Sequence, residues 1–219
     1  YKHIMMGITG MIINKDTGKQ ILGELYSGPG GIGLGAAMSS LKYQGVHWRT
    51  EPRWMNDMCS DTCATWSKNI LGYEREFKNF KGEVDIYQGD VRKLELESLA
   101  PIDGLIFGFP CNDFSSVGEQ KGLKGNFGTL YSYGIEVLRK SIQPSWFIAE
   151  NVSGITASDN GNALKKILFE LRSSGYRITT HKYRLEKYGI PQARHRIIIV
   201  GFRDDLNLTA PRAMAVINP

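Results

Sequence analysis

Four side chains next to predicted strands could together perform covalent chemistry. Each borders an apolar run: Cys111 follows 105–107, Glu150 follows 146–149, and Arg194 and Arg196 precede 197–200. Short apolar runs of this kind are typical of buried strands. A cysteine is nucleophilic as its thiolate, a form that neighbouring guanidinium groups favour. The sequence therefore supplies a nucleophile, an acid and two cations at strand ends, where α/β enzymes place their chemistry.

A glycine-rich segment lies between a predicted strand at 20–26 and a predicted helix at 36–41. Gly28, Gly30 and Gly33 satisfy the dinucleotide pattern G-x-G-x-x-G. Glycines there allow a sharp turn and bring backbone N–H groups close to a ligand. The strand before the turn and the helix after it supply the context that this short pattern needs. We therefore predict a nucleotide-like ligand at this turn.

Two acidic residues compete for the ribose-binding position after the glycine turn. A carboxylate at this position can accept hydrogen bonds from the ribose hydroxyls. Asp57 precedes a helical stretch, whereas Glu51 is followed by Pro52, so we favour Asp57 and keep Glu51 as the alternative. Asp90 ends a further predicted strand at 84–89 and could accept a hydrogen bond from an adenine amino group.

The later segments continue the alternation of strands and helices, which indicates an α/β fold. Helical periodicity covers 131–141 and 163–173, and strand patterns cover 176–185 and 196–201. The second of these helices carries four apolar residues that we expect in the core: Leu164, Ile167, Leu168 and Leu171.

Composition narrows the classes of protein. The 219 residues are 42% hydrophobic, enough to bury the core of one α/β domain. The net charge of +5 and the pI of about 9.0 suit a polyanionic partner without requiring one. No run is apolar and long enough to span a bilayer and no signal peptide is recognisable, so we expect a cytoplasmic protein with no membrane partner.

The cysteines point to a reducing compartment. There are three of them, an odd number that argues against a disulfide framework. Cys59 and Cys63 are spaced i, i+4 on a predicted helix, but no second pair of ligands lies nearby. We therefore expect these two thiols to be packing residues and expect no metal.

Three short motifs together resemble the signatures of the C5-cytosine DNA methyltransferases. They are Pro110-Cys111 followed by Phe114-Ser115, then Glu150-Asn151-Val152, then Gln192-x-Arg194-x-Arg196 before a strand. The motifs occur in the family's order, and the resemblance runs from Ile21 to Gly201. It implies a Rossmann-like S-adenosylmethionine-dependent methyltransferase fold, with a mostly parallel central sheet flanked by helices.

The resemblance also implies a covalent mechanism for methylation of cytosine at C5. Cys111 would add to C6 of a flipped-out cytosine, while Glu150 would hold a proton at N3 and bind the exocyclic amine. Arg196 would contact the cytosine O2, and Arg194 would support the same pocket. The methyl donor would be S-adenosylmethionine, the product S-adenosylhomocysteine, and no metal would take part.

Seven residues match family positions that surround the methyl donor: Tyr26, Gly28, Gly30, Asp57, Asp90, Pro110 and Leu130. Tyr26 would stack on the adenine.

The implied partner is double-stranded DNA, from which the target base must be flipped out. The segment 115–128 contains glycines and lysines and would be a mobile basic loop that closes over DNA, with a solvated surface loop as an equal alternative.

The sequence departs from the family pattern in several places. Asn112 stands where Gln is usual, and Phe127 stands where a basic residue is common. Family members normally continue into a target-recognition domain and a returning segment with a Gly-Asn motif, which we do not find. We therefore expect an extension or cloning remnant at 1–20, a catalytic domain at 21–219, and no target-recognition domain in this chain.

A second polypeptide that supplies the missing parts, or a truncated chain, would explain this gap. The commonest setting for the family is restriction-modification in a prokaryotic cytoplasm.

Three other functions stay open: methylation of RNA cytosine at C5, a nicotinamide-dependent oxidoreductase, and a non-catalytic regulatory relative. The oxidoreductase leaves Cys111, Glu150 and Arg196 unexplained, and a regulatory relative would be expected to have lost the nucleophile or its acid.

Overall fold

The computed structural model describes residues 18–206, apart from 44, 79, 111–128 and 141–142. Cys111, Asn112, Phe127 and the loop predicted at 115–128 lie outside these described residues. The chain forms two compact units, which are described separately below. The first unit comprises Tyr1–Gly108 and Glu136–Phe147, and the second comprises Phe109–Ile135 and Ile148–Pro219.

The first unit is built on parallel strands with helices between them. Its elements are β1 (Lys19–Leu25), α1 (Gly31–Met38), β2 (Ser40–Tyr43), β3 (Val46–Asp57), α2 (Ser60–Trp66), α3 (Gly72–Lys78), β4 (Asp85–Gln88) and β5 (Gly104–Phe107). The strand order is β2-β3-β1-β5, and β4 also pairs with β3. β1 pairs in parallel with both β3 and β5, and β3 pairs in parallel with β4, while β2 and β3 are antiparallel.

The second unit contains the remaining strands and helices. They are α4 (Tyr131–Leu138) and β6 (Trp146–Val152), which both extend into the first unit, followed by α5 (Asn162–Arg172), β7 (Tyr176–Arg184) and β8 (His195–Arg203). The strand order here is β6-β8-β7, and β7 and β8 are antiparallel. The predicted apolar face of α5 is only partly correct, because Ile167 and Leu171 are buried whereas Leu164 and Leu168 are half-buried.

The core of the first unit depends on two tryptophans. Trp54 on β3 is buried, and its indole Nε1 donates to the carbonyl of Ala100 at 2.9 Å. Trp66 on α2 belongs to a cluster of buried residues that also includes Ala37, Met55, Cys63, Ile70 and Leu71. The indole of Trp54 lies against Gly23 of β1 so closely that a Cβ at Gly23 would overlap it. A glycine is therefore required at this point of the strand.

The predicted helix at 36–41 is wrong in its boundaries. α1 begins earlier, at Gly31 inside the glycine segment, and ends at Met38. Ser40 and Leu41 instead begin strand β2, which forms an antiparallel pair with the start of β3. Backbone pairing with β3 outweighs the helical preference of this short segment, since isolated helices of such length are marginal.

The predicted helix after Asp57 is correct and is longer than expected. α2 continues through a π-helical segment, Ser67–Leu71, directly into α3. Within the described part of the chain, no helix is both long and apolar enough to cross a membrane.

We expect Gly23→Ala to destabilise the protein, because the new methyl group overlaps the buried Trp54 indole. Overpacking of this kind typically costs about 1–3 kcal/mol. Gly35→Ala is the matched control, since Gly35 lies on α1 with open space where its Cβ would be, and alanine favours a helix over glycine. Urea denaturation of both variants measures the free energy of unfolding, and equal values for the two would contradict the prediction.

Candidate active site

The glycine segment forms a turn with unusual backbone angles directly after β1. Gly28 and Gly30 have positive φ angles of 53° and 92°, which favour glycine. Tyr26 also lies in the left-handed region, with φ of 55°, a conformation that costs a non-glycine residue of order 1–3 kcal/mol. The backbone N–H of Ser27 donates to the carbonyl of Asn56 at 3.1 Å, so the turn is fixed to the end of β3.

Asp57, the last residue of β3, binds the same turn. Its Oδ2 accepts from the backbone N–H of Gly28 at 2.8 Å, and its Oδ1 accepts from the N–H of Cys59 at 2.9 Å and the hydroxyl of Thr62 at 2.8 Å. The carboxylate therefore joins the glycine turn to the start of α2. Its predicted contact with a ribose stays a prediction.

Glu51, the alternative ribose acid, lies far from the turn. It precedes Asp57 by six residues on the same strand, which corresponds to roughly 20 Å of extended chain. Its side chain is largely buried and forms ion pairs with Lys19 at 3.0 Å and Arg49 at 3.2 Å. The geometry thus favours Asp57 over Glu51.

Asp90 follows β4 at the same edge of the sheet as Asp57. The backbone N–H of Gly89 donates to the carbonyl of Asp57 at 2.9 Å, which holds the two loops together. The carboxylate of Asp90 accepts from the backbone N–H of Arg92 at 3.0 Å and from its guanidinium Nε at 2.9 Å. These hydrogen bonds lower the pKa of Asp90 to about 2, so it is ionised at neutral pH. A contact with adenine remains a prediction.

Behind the turn lies a buried acid that sequence reasoning missed. Glu24 is only 3% exposed, and its Oε2 accepts from the indole Nε1 of Trp66 at 2.7 Å. The backbone N–H of Gly33 also donates to this carboxylate, and burial raises the pKa of Glu24 to about 7. The available signal was an acidic residue inside the otherwise apolar run of β1.

In the second unit, the structure brings together Glu150 of β6 and Arg196 of β8. The guanidinium Nε lies 2.6 Å from the carboxylate Oε1, and the side chains are 19% (Arg196) and 22% (Glu150) exposed. The Nε–H is not directed along this line, so the contact is an ion pair without a hydrogen bond. Arg196 also donates from Nη1 to the carbonyl of His195 at 2.8 Å.

Arg194 precedes β8 and is exposed. Its backbone carbonyl accepts from the N–H of Leu185 at 2.9 Å. Within the described ranges its guanidinium has no ion-pair partner, and the structure does not bring it to the Glu150–Arg196 pair by any direct contact. Its role in the cytosine pocket therefore stays a prediction.

Asn151, next to Glu150, fixes the backbone just ahead of Cys111. Its side chain is 2% exposed, and its Nδ2 donates to the carbonyl of Phe109 at 3.1 Å. The Oδ1 of Asn151 accepts from the N–H of Val152 at 2.8 Å. Pro110 follows Phe109 directly, so the amide holds the segment that leads to the predicted nucleophile. This role was missed, although a polar residue followed by an apolar one within a buried strand was a visible signal.

Leu130, the other predicted cofactor residue of this unit, is buried immediately before α4.

The two cysteines predicted to be packing residues differ in their burial. Cys63 is buried and its thiol contacts the carbonyl of Asp57, whereas Cys59 is exposed. Burial raises the pKa of the Cys63 thiol. The described residues contain no group of three or more His, Cys, Asp or Glu that could hold a metal ion.

Comparison with known proteins decides the family. The model of the C-5 cytosine-specific DNA methylase family matches residues 22–218. The chain belongs to this family. The family resemblance predicted from the three motifs is therefore confirmed.

The DNA methylase family includes relatives of high similarity to this chain. The Type II methyltransferase M.BbvI of Brevibacillus brevis is 43% identical over 192 residues, which are 84% of this chain and 49% of that protein. The Type II methyltransferase M.NgoFVII of Neisseria gonorrhoeae is 30% identical over 195 residues, covering 88% of this chain and 46% of the relative. The chain thus spans about half the length of the curated relatives it matches.

Solved structures agree on the fold of this family member. A DNA modification methyltransferase encoded within an E. coli prophage matches with a TM-score of 0.64 and 26% identity, over 88% of this chain and 49% of that one. The S. pombe Dnmt2 methyltransferase matches with a TM-score of 0.59 over 84% of this chain and 51% of that one, and at 16% identity it supports the fold alone. The predicted α/β methyltransferase fold is confirmed.

We expect Asn151→Ala to lower the free energy of unfolding by about 1–3 kcal/mol, because two hydrogen bonds of the buried amide are lost, one to the carbonyl of Phe109 and one from the N–H of Val152. Asn162→Ala serves as the control, since Asn162 is exposed at the first residue of α5 and its replacement should change stability by less than about 0.5 kcal/mol. Chemical denaturation measures both. A loss no larger than that of the control would show that the amide does not support this backbone.

The raised pKa of Glu24 predicts a pH dependence of stability. The folded state holds a proton on Glu24 up to about pH 7, whereas the unfolded chain releases it near the ordinary glutamate pKa of 4.5. The contribution of Glu24 to the free energy of unfolding is therefore fully present below pH 4.5. It is lost as the pH rises through 7, and the loss is at most about 3 kcal/mol.

Glu24→Gln has no titrating acid at this position, so this loss of stability does not occur in the variant. The free energy of unfolding of Glu24→Gln, relative to that of the unmodified protein, should therefore be larger at pH 8 than at pH 5. Denaturation at the two pH values measures the difference. Glu76→Gln, an exposed position on α3, is the control and should follow the unmodified curve. Parallel curves for Glu24→Gln and Glu76→Gln would contradict the prediction.

Proposed function

We propose that this chain is the catalytic part of a DNA cytosine-5 methyltransferase. It would transfer a methyl group from S-adenosylmethionine to C5 of a flipped-out cytosine through a covalent adduct of Cys111. The observation that carries the proposal is the ion pair of Glu150 and Arg196 at 2.6 Å, on neighbouring strands of the second unit. The hydrogen bond from Asn151 to the segment before Cys111 supports it.

The residues of the first unit fit the proposed methyl donor. Gly28 has open space where a Cβ would stand and a φ angle that a side chain would disfavour. Tyr26, Asp57 and Asp90 border the same sheet edge, and they would hold the adenine and ribose of the donor together with Gly30. Pro110 and Leu130 are proposed as further donor contacts on the family resemblance alone. When bound, S-adenosylmethionine supplies a methyl group activated by its sulfonium.

The proposed chemistry gives roles to three residues of the second unit: Cys111, Glu150 and Arg196. The Cys111 thiolate forms a bond to C6 of the cytosine, which moves electron density towards C5. Glu150 protonates N3 and accepts a hydrogen bond from the exocyclic amine, which makes C6 more electrophilic. Arg196 orients Glu150 and donates to O2. C5 then takes the methyl group, and the donor would leave as S-adenosylhomocysteine. A base removes the C5 proton, Glu150 takes back the proton at N3, and the bond to Cys111 breaks, which restores the thiolate.

The relatives support DNA as the substrate and suggest what the chain lacks. The names of the matching methyltransferases refer to Type II enzymes and to DNA modification. Because those proteins are about twice as long, we propose that target recognition comes from polypeptide outside these residues, either a second chain or a continuation of this one. Base-edge contacts that read a sequence would then lie there. The proposed setting is restriction-modification in a prokaryotic cytoplasm.

Covalent trapping tests the proposed function. Random-sequence DNA synthesised with 5-fluorocytosine at every cytosine removes the need for a known target site, because fluorine at C5 blocks the final elimination. With S-adenosylmethionine present, we expect a protein–DNA adduct that survives denaturing electrophoresis. Cys111→Ser should abolish it. The absence of an adduct, or an adduct with the matching RNA and not with DNA, would contradict the proposal.

A paired substitution tests the acid in the same assay. Glu150→Gln should slow adduct formation by about 10²–10⁴-fold, the usual contribution of a general acid. Glu136→Gln is the matched control on an exposed position of α4 and should leave the rate unchanged.

Calorimetric titration with S-adenosylmethionine and with NAD separates the methyltransferase from the oxidoreductase, because only the first ligand should bind.

A further inference from the structure

We infer that Glu24 and Trp66 are positioning residues that fix the glycine turn and thereby set the affinity for S-adenosylmethionine. The inference rests on the proposed function, because the turn would hold the methyl donor. Glu24 is the residue before the last of β1, and Trp66 is the last residue of α2. Their side chains meet behind the turn through the 2.7 Å hydrogen bond from the indole Nε1 to Oε2.

The pair contacts the turn and the start of α1 at two separate points. At Gly30, an added Cβ would lie 2.7 Å from the indole Cδ1, so the ring of Trp66 packs directly on the glycine backbone. At Gly33, an added Cβ would lie 2.6 Å from the Glu24 Oε2, and the backbone N–H donates to this carboxylate. One buried hydrogen bond thus connects the contacts that hold Gly30 and Gly33.

The carboxylate acts through these neighbours and not by touching a ligand. Glu24 is 3% exposed, and Trp66 is 1% exposed, so both side chains point into the core of the first unit. Gly28, in contrast, has open space beside it, which is where a ligand would approach. The buried pair therefore shapes one side of the backbone while the open side remains free for binding.

The turn needs such support because its own backbone is unfavourable. Within the five residues 26–30, Tyr26, Gly28 and Gly30 adopt left-handed backbone angles. Such a conformation persists only when the surrounding structure holds it in place. Within the turn, the backbone N–H of Gly30 donates to the carbonyl of Ser27 at 3.1 Å, and the Glu24–Trp66 pair adds contacts from the core side. Removing the link between Glu24 and Trp66 should loosen the turn.

Substitutions can separate positioning from simple core stability. Trp66→Phe keeps a ring against Gly30 but removes the hydrogen-bond donor. Glu24→Ala removes the acceptor for both Trp66 and Gly33. Glu24→Gln keeps the length of the side chain and an oxygen that can accept from the Trp66 indole, and it removes the titratable acid. Gly104→Ala is the destabilised control, because its Cβ would overlap the Trp146 ring in another part of the first unit.

The first measurement is hydrogen exchange of the ligand-free 219-residue chain, followed by mass spectrometry. Peptides that cover 26–34 should exchange about tenfold faster in Trp66→Phe and Glu24→Ala, the factor expected for loss of one hydrogen bond. Glu24→Gln should restore slow exchange, and Gly104→Ala should leave this segment unchanged. Equal exchange in Trp66→Phe and the unmodified chain would overturn the inference.

The second measurement is calorimetric binding of S-adenosylhomocysteine at a temperature where every variant is folded. We expect Trp66→Phe and Glu24→Ala to weaken binding by about tenfold or more, and Glu24→Gln to stay within about threefold of the unmodified chain. An equal loss in Gly104→Ala would show that affinity follows stability alone, which overturns the inference. No binding by the unmodified chain would instead overturn the proposed function, while the exchange data would still decide whether the pair fixes the turn.

Discussion

The candidate cofactor site depends on the parallel pairing of β1, β3 and β4. In this register Leu25 lies opposite Asn56, and Asn56 lies opposite Tyr87, so three neighbouring strands of the sheet end on one line. Parallel strands run in the same direction, and the segments that follow them must therefore emerge at the same edge. A shift of register by two residues would separate the glycine turn from Asp57, because the Gly28 N–H and the carboxylate could no longer meet.

Buried polar groups fix this register more tightly than apolar packing alone would. The side chain of Asn56 donates to the carbonyls of Tyr87 at 2.8 Å and Gly89 at 3.0 Å, so one amide joins the end of β3 to the end of β4 and the segment that follows it. Asn56 is also buried, and an unpaired amide there would cost of order 1–3 kcal/mol. Any arrangement that breaks these bonds leaves polar atoms buried without partners. The network thus specifies one geometry for the loops after β1, β3 and β4.

Local patterns in the sequence were enough to predict the glycine turn and the family motifs, but not the strand ends. Glu150 and Arg196 were predicted to flank strands, and both lie within strands, β6 and β8. The strand at Ser40 was missed although its partner is local, since β3 begins at Val46, only three residues after β2 ends at Tyr43. Glu24 and Asn151 were missed because a distant segment decides their contacts, since each bonds to a group 42 residues away along the chain. Their partners become apparent only once the chain has folded.

Strand β6 shows how one short segment serves two purposes in the second unit. Successive residues of a strand point to opposite faces, and the burial of β6 alternates accordingly. Glu150 therefore lies on the half-buried face, where Arg196 orients its carboxylate, while Asn151 lies on the buried face and holds the carbonyl of Phe109. The two side chains are adjacent in sequence but act on separate contacts. A one-residue slip of β6 would exchange the faces, which would bury the acid and release the backbone before Cys111 at the same time.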